Sequence, residues 1–113
     1  MKVERLVHTS LLFDLYGSML NDNQREVLHL YLDNNVSLLE IAEKAGITKQ
    51  AVSDVLVRAI KRLEYIDNRL HLLDKYQTIL DRVPKLAHEL TKDVKLQQRI
   101  QDVFVELIRT LEA

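Results

Sequence analysis

Lys49, Gln50, Ser53, Asp54, Arg58, Lys61 and Arg62 fall in one short stretch, "TKQAVSDVLVRAIKRL", beginning at Thr48. On a helix, Lys49, Gln50, Ser53, Asp54 and Val57 share the outward side, and the chemistry such a face supports is recognition rather than bond making. Gln50 can pair bidentately with adenine, and Lys49 can reach guanine or a phosphate. Asp54 can accept from cytosine or from a neighbouring side chain. Arg58, Lys61 and Arg62 read as phosphate contacts, which hold a nucleic acid without choosing its sequence. A solvated basic helix face is the competing reading of those three, and the residues alone leave both open.

The distribution of charge sharpens this reading. Residues 1–47 carry four basic and seven acidic side chains, a net −3; residues 48–63 carry four basic and one acidic, +3; residues 64–113 carry eight and nine, −1. The formal total is therefore −1, and the basic island lies on this stretch against an acidic background.

Other chemistries find no footing. His8, His29, His71 and His88 are never three or four apart, so no helical metal pair forms, and cysteine is absent. Glu40 and Glu43 share a helix face, but a capping role for Glu40 and a solvated face explain them better than general acid–base work. Two glycines cannot build a phosphate-cradling loop, and Ser37 and Ser53 have no histidine nearby in sequence. No catalytic residue, metal or cofactor is expected.

The elements that must position the basic stretch are legible as helices. The chain has 113 residues, 47% of them hydrophobic, and only two glycines and one proline, which leaves little room for a turn-rich β fold. The periodicity predicts a first helix from Glu4 to Leu20, with Leu12, Tyr16, Met19 and Leu20 near one face and Phe13 beside it. Asn21 is placed to cap a second helix with Gln24, carrying Val27, Leu28 and Tyr31, and Asn34 and Asn35 end it. Ser37 and Glu40 open a short third helix that stops at Gly46, where a missing Cβ permits positive φ. Thr48 caps the next helix. From Lys49 no breaker appears before Pro84, so one helix of about nine turns is predicted. Pro84 then opens a short segment, and Asp93 caps a final helix striped with Leu96, Ile100, Val103, Phe104, Leu107, Ile108 and Leu111.

In "SLLEIAEKAGITKQAVSDVL", Ala42 supplies a small residue, Gly46 the turn, Ile47 a plug for the corner, and Val52, Val55 and Leu56 an inward stripe. That is the pattern of a helix-turn-helix. The wider stretch "LLFDLYGSMLNDNQREVLHLYLDNNVSLLEIAEKAGITKQAVSDV" resembles the YlxM family of small bacterial helix-turn-helix proteins, through D-x-Y near the start, "QR" before the second helix and "QAVSD" on the fourth. Its core also looks like the promoter-reading region of bacterial sigma factors. Two positions depart from the family pattern: Lys49 stands where arginine is expected, and Ser53 where an aromatic is expected. The resemblance implies a sigma-region-4-like helix-turn-helix in a cytoplasmic bacterial protein. It also implies a regulatory part in the signal recognition particle pathway, whose GTPases are encoded beside such proteins, through its protein or its RNA.

The expected architecture is thus all-α, a single helical domain over 1–113. The helix-turn-helix spans about 21–63, and a long helix with a C-terminal helical element covers about 64–113. Counted in sevens from Leu56, the long helix places Leu56, Ala59, Leu63, Ile66, Leu70, Leu73, Gln77 and Leu80 on one seam, seven of the eight apolar. Leu63, Ile66, Leu70 and Leu73 are its central partner candidates, for a parallel homodimer or for a helix of the same chain. No apolar run approaches the ~18 residues of a membrane span, and Glu4 and Arg5 interrupt the start too early for a signal-peptide core. DNA or structured RNA is the expected ligand. The rival is a protein-interaction module that binds the targeting machinery or itself.

Overall fold

The computed structural model describes residues 3–33 and 36–111. Among the described residues six α-helices follow one another: α1 (Val3–Tyr16), a 3₁₀ turn (Gly17–Met19), α2 (Asp22–Asp33), α3 (Leu38–Ala45), α4 (Lys49–Leu70), α5 (Leu72–Leu90) and α6 (Val94–Arg109). Among the described residues there is no strand, and the fold is all-α. The chain divides after Leu70 into two compact units.

In the N-terminal unit, α1, α2 and α3 all pack on α4. Leu12, Tyr16, Leu28, Ile41, Val52 and Leu63 are the largest of its fully buried side chains, so every helix contributes to one core. The ends of these helices are set by the capping residues. Asn21 Oδ1 accepts from the Gln24 amide at 2.8 Å while Gln24 Oε1 accepts from the Asn21 amide at 3.3 Å, a reciprocal box that satisfies two otherwise orphaned donors. Arg25 then pairs with Asp22 at 2.8 Å within the first turn of α2. The expected end of this helix at Asn34 and Asn35 lies outside the described residues.

The first helix stops earlier than its periodicity predicts. It ends at Tyr16, and Gly17 to Met19 tighten into a 3₁₀ turn closed by the Leu20 amide on the Gly17 carbonyl at 3.1 Å. The tighter winding rotates Met19 off the buried face, leaving it 51% exposed, while Leu20 turns inward. Gly17 is itself buried, and a Cβ there would meet the Phe13 ring at 3.1 Å, so the turn packs closely against the helix it terminates.

The nine-turn helix is likewise two helices. His71 adopts a left-handed conformation, φ 56 and ψ 32, and separates α4 from α5. Leu63 and Ile66 are buried in the core of the first unit and Leu73 in that of the second, so packing in each unit overrides a local preference that contains no breaker. Pro84 lies inside α5 rather than at the start of a new segment. Val83 and Ala87, on either side of it, are both buried, and that packing holds the helix through a residue that cannot donate to the Leu80 carbonyl. In the C-terminal unit α5 and α6 form a hairpin. Asp93 caps α6, accepting from Lys95 and Leu96 at 2.9 and 3.4 Å.

Candidate nucleic-acid interface

Ser37 caps the start of α3, its hydroxyl accepting from the Glu40 amide at 3.1 Å. It ends at Gly46, with φ 70 in the left-handed region, and the Ile47 amide folds back to the Ala42 carbonyl at 3.1 Å. Thr48 Oγ1 then accepts from the Ala51 amide at 3.0 Å and starts α4. Ala42 and Val52 are buried where the two helices meet, and Val55 is half-buried. Ile47 is the exception: it is 39% exposed and only partly fills the corner.

This junction directs one side of α4 outward. Lys49, Gln50, Asp54, Arg58, Lys61 and Arg62 are exposed and Ser53 is half-buried. Gln50 Nε2 donates to Asp54 Oδ1 at 3.0 Å, one helical turn along. The contact occupies one oxygen of the Asp54 carboxylate. It also fixes the Gln50 amide while leaving its carbonyl oxygen and one N–H for another partner. Among the described residues Lys49, Arg58 and Lys61 have no ion partner within the chain. Arg62 differs, since its Nε donates to the Met19 carbonyl at 3.4 Å and ties α4 to the 3₁₀ turn. Thr48 spends its oxygen on the helix cap. Within the expected set, therefore, three cations stand free and one is partly engaged.

Two further groups join this surface from far away in sequence. A groove of about 270 Å³ between α1 and α4 is lined by Arg5, His8, Thr9, Val57, Ile60, Lys61 and Glu64. Arg5 and His8 thus stand beside Lys61, and no spacing signal in the sequence couples them, because the juxtaposition comes from α1 packing on α4.

The partner seam fares differently. Leu63 and Ile66 are buried inside the N-terminal unit, whereas Leu70, at the end of α4, is 45% exposed. Leu73 is buried in the other unit. With the helix broken at His71, the continuous heptad seam does not exist in this structure, and the α4 half of it is satisfied by helices of the same chain.

A family profile described as "Putative helix-turn-helix protein, YlxM / p13 like" matches residues 3–103. The chain belongs to this family. Relatives in the family include a protein of Thermoanaerobacter sp. strain X514, 34% identical over 91% of this chain and 90% of its own length. One from Clostridium acetobutylicum is 35% identical over 97% and 93%, and one from Streptococcus gordonii 34% over 88% and 91%. No solved structure matches the chain. The family-like motifs have structural explanations here. Tyr16 of D-x-Y donates its hydroxyl to Asp67 Oδ1 at 2.6 Å, joining α1 to α4. The "QR" pair builds the start of α2, and "QAVSD" combines the buried Val52 with the Gln50–Asp54 contact. No described helix is long and apolar enough to cross a membrane.

Proposed function

We propose that this protein is a non-enzymatic regulator that binds nucleic acid through the outward side of α4. Lys49, Arg58, Lys61 and, in part, Arg62 neutralise phosphates, and Gln50 offers an amide to a base edge. The observation that carries this reading is the set of exposed cations without internal ion partners on the second helix of a helix-turn-helix, in a chain otherwise acidic. Asp54, held by Gln50, keeps its negative charge, and the four cations on the same stretch of α4 outnumber it. Thr48 and Ser53 flank the contact rather than lead it, the first being committed to a cap and the second half-buried. Duplex DNA and structured RNA share this phosphate chemistry. The family resemblance favours a cytoplasmic role beside the signal recognition particle.

A second reading, a protein-binding module, draws on the exposed apolar Leu39, Ile47 and Val57 around the same helix. Amide chemical-shift mapping separates the two. Addition of duplex DNA or a structured RNA should move the resonances of Lys49 to Arg62 first, including the Gln50 side-chain amide. If those signals stay still while only scattered lysines elsewhere respond, the interface is misassigned and the module reading takes its place.

A further inference from the structure

The C-terminal hairpin carries an apolar face that its own two helices leave uncovered. On α5, Leu73, Val83 and Ala87 are buried and define the side turned toward α6; on α6, Ile108 is buried and Gln97 and Phe104 are half-buried. Ile79, Leu86 and Leu90 on α5 and Leu96, Val103 and Leu107 on α6 are instead between 40% and 67% exposed. Each trio is rotated from the facing side by roughly a quarter turn, in the same sense when counted from N to C terminus. The helices are antiparallel, so the same sense places both trios on one side of the hairpin. Six large apolar side chains thus form one continuous surface.

The charges bordering that surface specify what fits it. Arg82 and Glu89 lie along its outer edge on α5, and Arg99 and Glu106 along its outer edge on α6. In both helices the arginine precedes the glutamate by two turns. Neither pair is closed within its own helix, and among the described residues none of the four has an ion partner.

Suppose a second hairpin lies face to face, with α6 antiparallel to α6 of the other copy. Leu96 then layers with the other copy's Leu107, and Ile100 with its Val103, which brings Arg99 against Glu106 in the spacing of an antiparallel coiled coil. On α5 the equivalent layer is Ile79 with Leu90, and it brings Arg82 against Glu89. The two registers are mutually consistent. The His88–Gln97 contact at 3.3 Å aligns the hairpin, and counting from it the midpoints of the α5 and α6 pairings fall level to within about one residue. One two-fold axis serves both. A parallel pairing would set Arg99 against Phe104, Glu106 against Leu111, Arg82 against Ala87 and Glu89 against Val94, with no charge matched.

We propose that the occupant is a second copy of this chain, giving a two-fold, up-down-up-down four-helix bundle built from two α5–α6 hairpins. This places self-association on the C-terminal hairpin and not on the α4 seam, and it does not rest on the nucleic-acid reading. Two helix-turn-helix units carried by one dimer gain avidity for any ligand with two sites.

Sedimentation equilibrium of the full chain tests the pairing. The parent should form a dimer. Arg99→Glu alone and Glu106→Arg alone should each weaken it by about tenfold, since each sets two like-charge contacts across the two-fold, and the double variant should recover parental affinity. Val103→Asp, with circular dichroism unchanged, should be monomeric. A parent that stays monomeric at several hundred micromolar, Val103→Asp as dimeric as the parent, single reversals without effect, or a double variant weaker than either single one would each overturn the proposal.

Discussion

Replacing Tyr16 by Phe removes the hydrogen bond from α1 to α4. The ring is 1% exposed and the hydroxyl donates to Asp67 at 2.6 Å, across 51 residues of sequence. Phenylalanine keeps the ring volume, so no cavity opens and the change reports the hydrogen bond. A bond to a charged acceptor contributes about 1.5–3 kcal/mol. Asp67 is only half-buried, so water recovers part of the loss and the expected cost is about 1–2 kcal/mol. With an m-value of about 1 kcal/mol per molar for a unit of this size, the urea midpoint should fall by roughly 1 M or more. The assay is urea unfolding followed by helical circular dichroism, with Asp67→Ala and the double variant completing a cycle. A midpoint shift below about 0.3 M, or a cycle with no coupling, would refute the idea that this bond joins α1 to α4.

Gly46→Ala should cost about 1 kcal/mol in the same assay: nothing lies within 4 Å of the added Cβ, so only the left-handed backbone resists it. An unchanged midpoint would mean that the turn adapts. Asp14 is held above the usual carboxylate range by partial burial and then by Asp33, so its ionised form is disfavoured in the fold. Its stabilising share is complete below the unfolded pKa and is lost as pH rises through the raised folded value. Asp14→Asn should therefore raise the urea midpoint at neutral pH and leave it unchanged in acid; the opposite order would show the sign to be wrong. Lys61→Glu should weaken nucleic-acid binding more than Arg62→Glu, because Arg62 is partly committed to the Met19 carbonyl; electrophoretic mobility shifts rank the two, and equal losses would make the tether irrelevant to binding.

What the sequence makes legible is local. Asn21 with Gln24, Ser37, Thr48 and Asp93 each act within three residues, and Gly46 needs only its own backbone, so all five helix boundaries follow from side-chain chemistry. The break at His71 has no such mark. It arises because α4 and α5 commit their apolar residues to different cores, and a heptad count treats both sets as one seam. Pro84 misleads in the opposite direction, since a breaker by propensity sits in a helix fixed by its flanking buried residues. The same limit applies to the candidate interface. The row of exposed residues on α4 follows from helical period, but Arg5 and His8 beside Lys61, and Arg62 on the Met19 carbonyl, depend on how α1 and its 3₁₀ turn pack.

The central claim concerns α4, and fluorescence anisotropy against salt tests it most directly. Labelled duplex DNA and a structured RNA are each titrated with the full chain from about 50 to 200 mM salt. Three free cations, Lys49, Arg58 and Lys61, should give a slope of log K against log salt of about −3. Lys49→Glu with Arg58→Glu and Lys61→Glu should abolish binding while the helical circular dichroism is unchanged. A triple variant that binds with parental affinity and slope, or a parent that binds neither polymer at the lowest salt, would contradict the account.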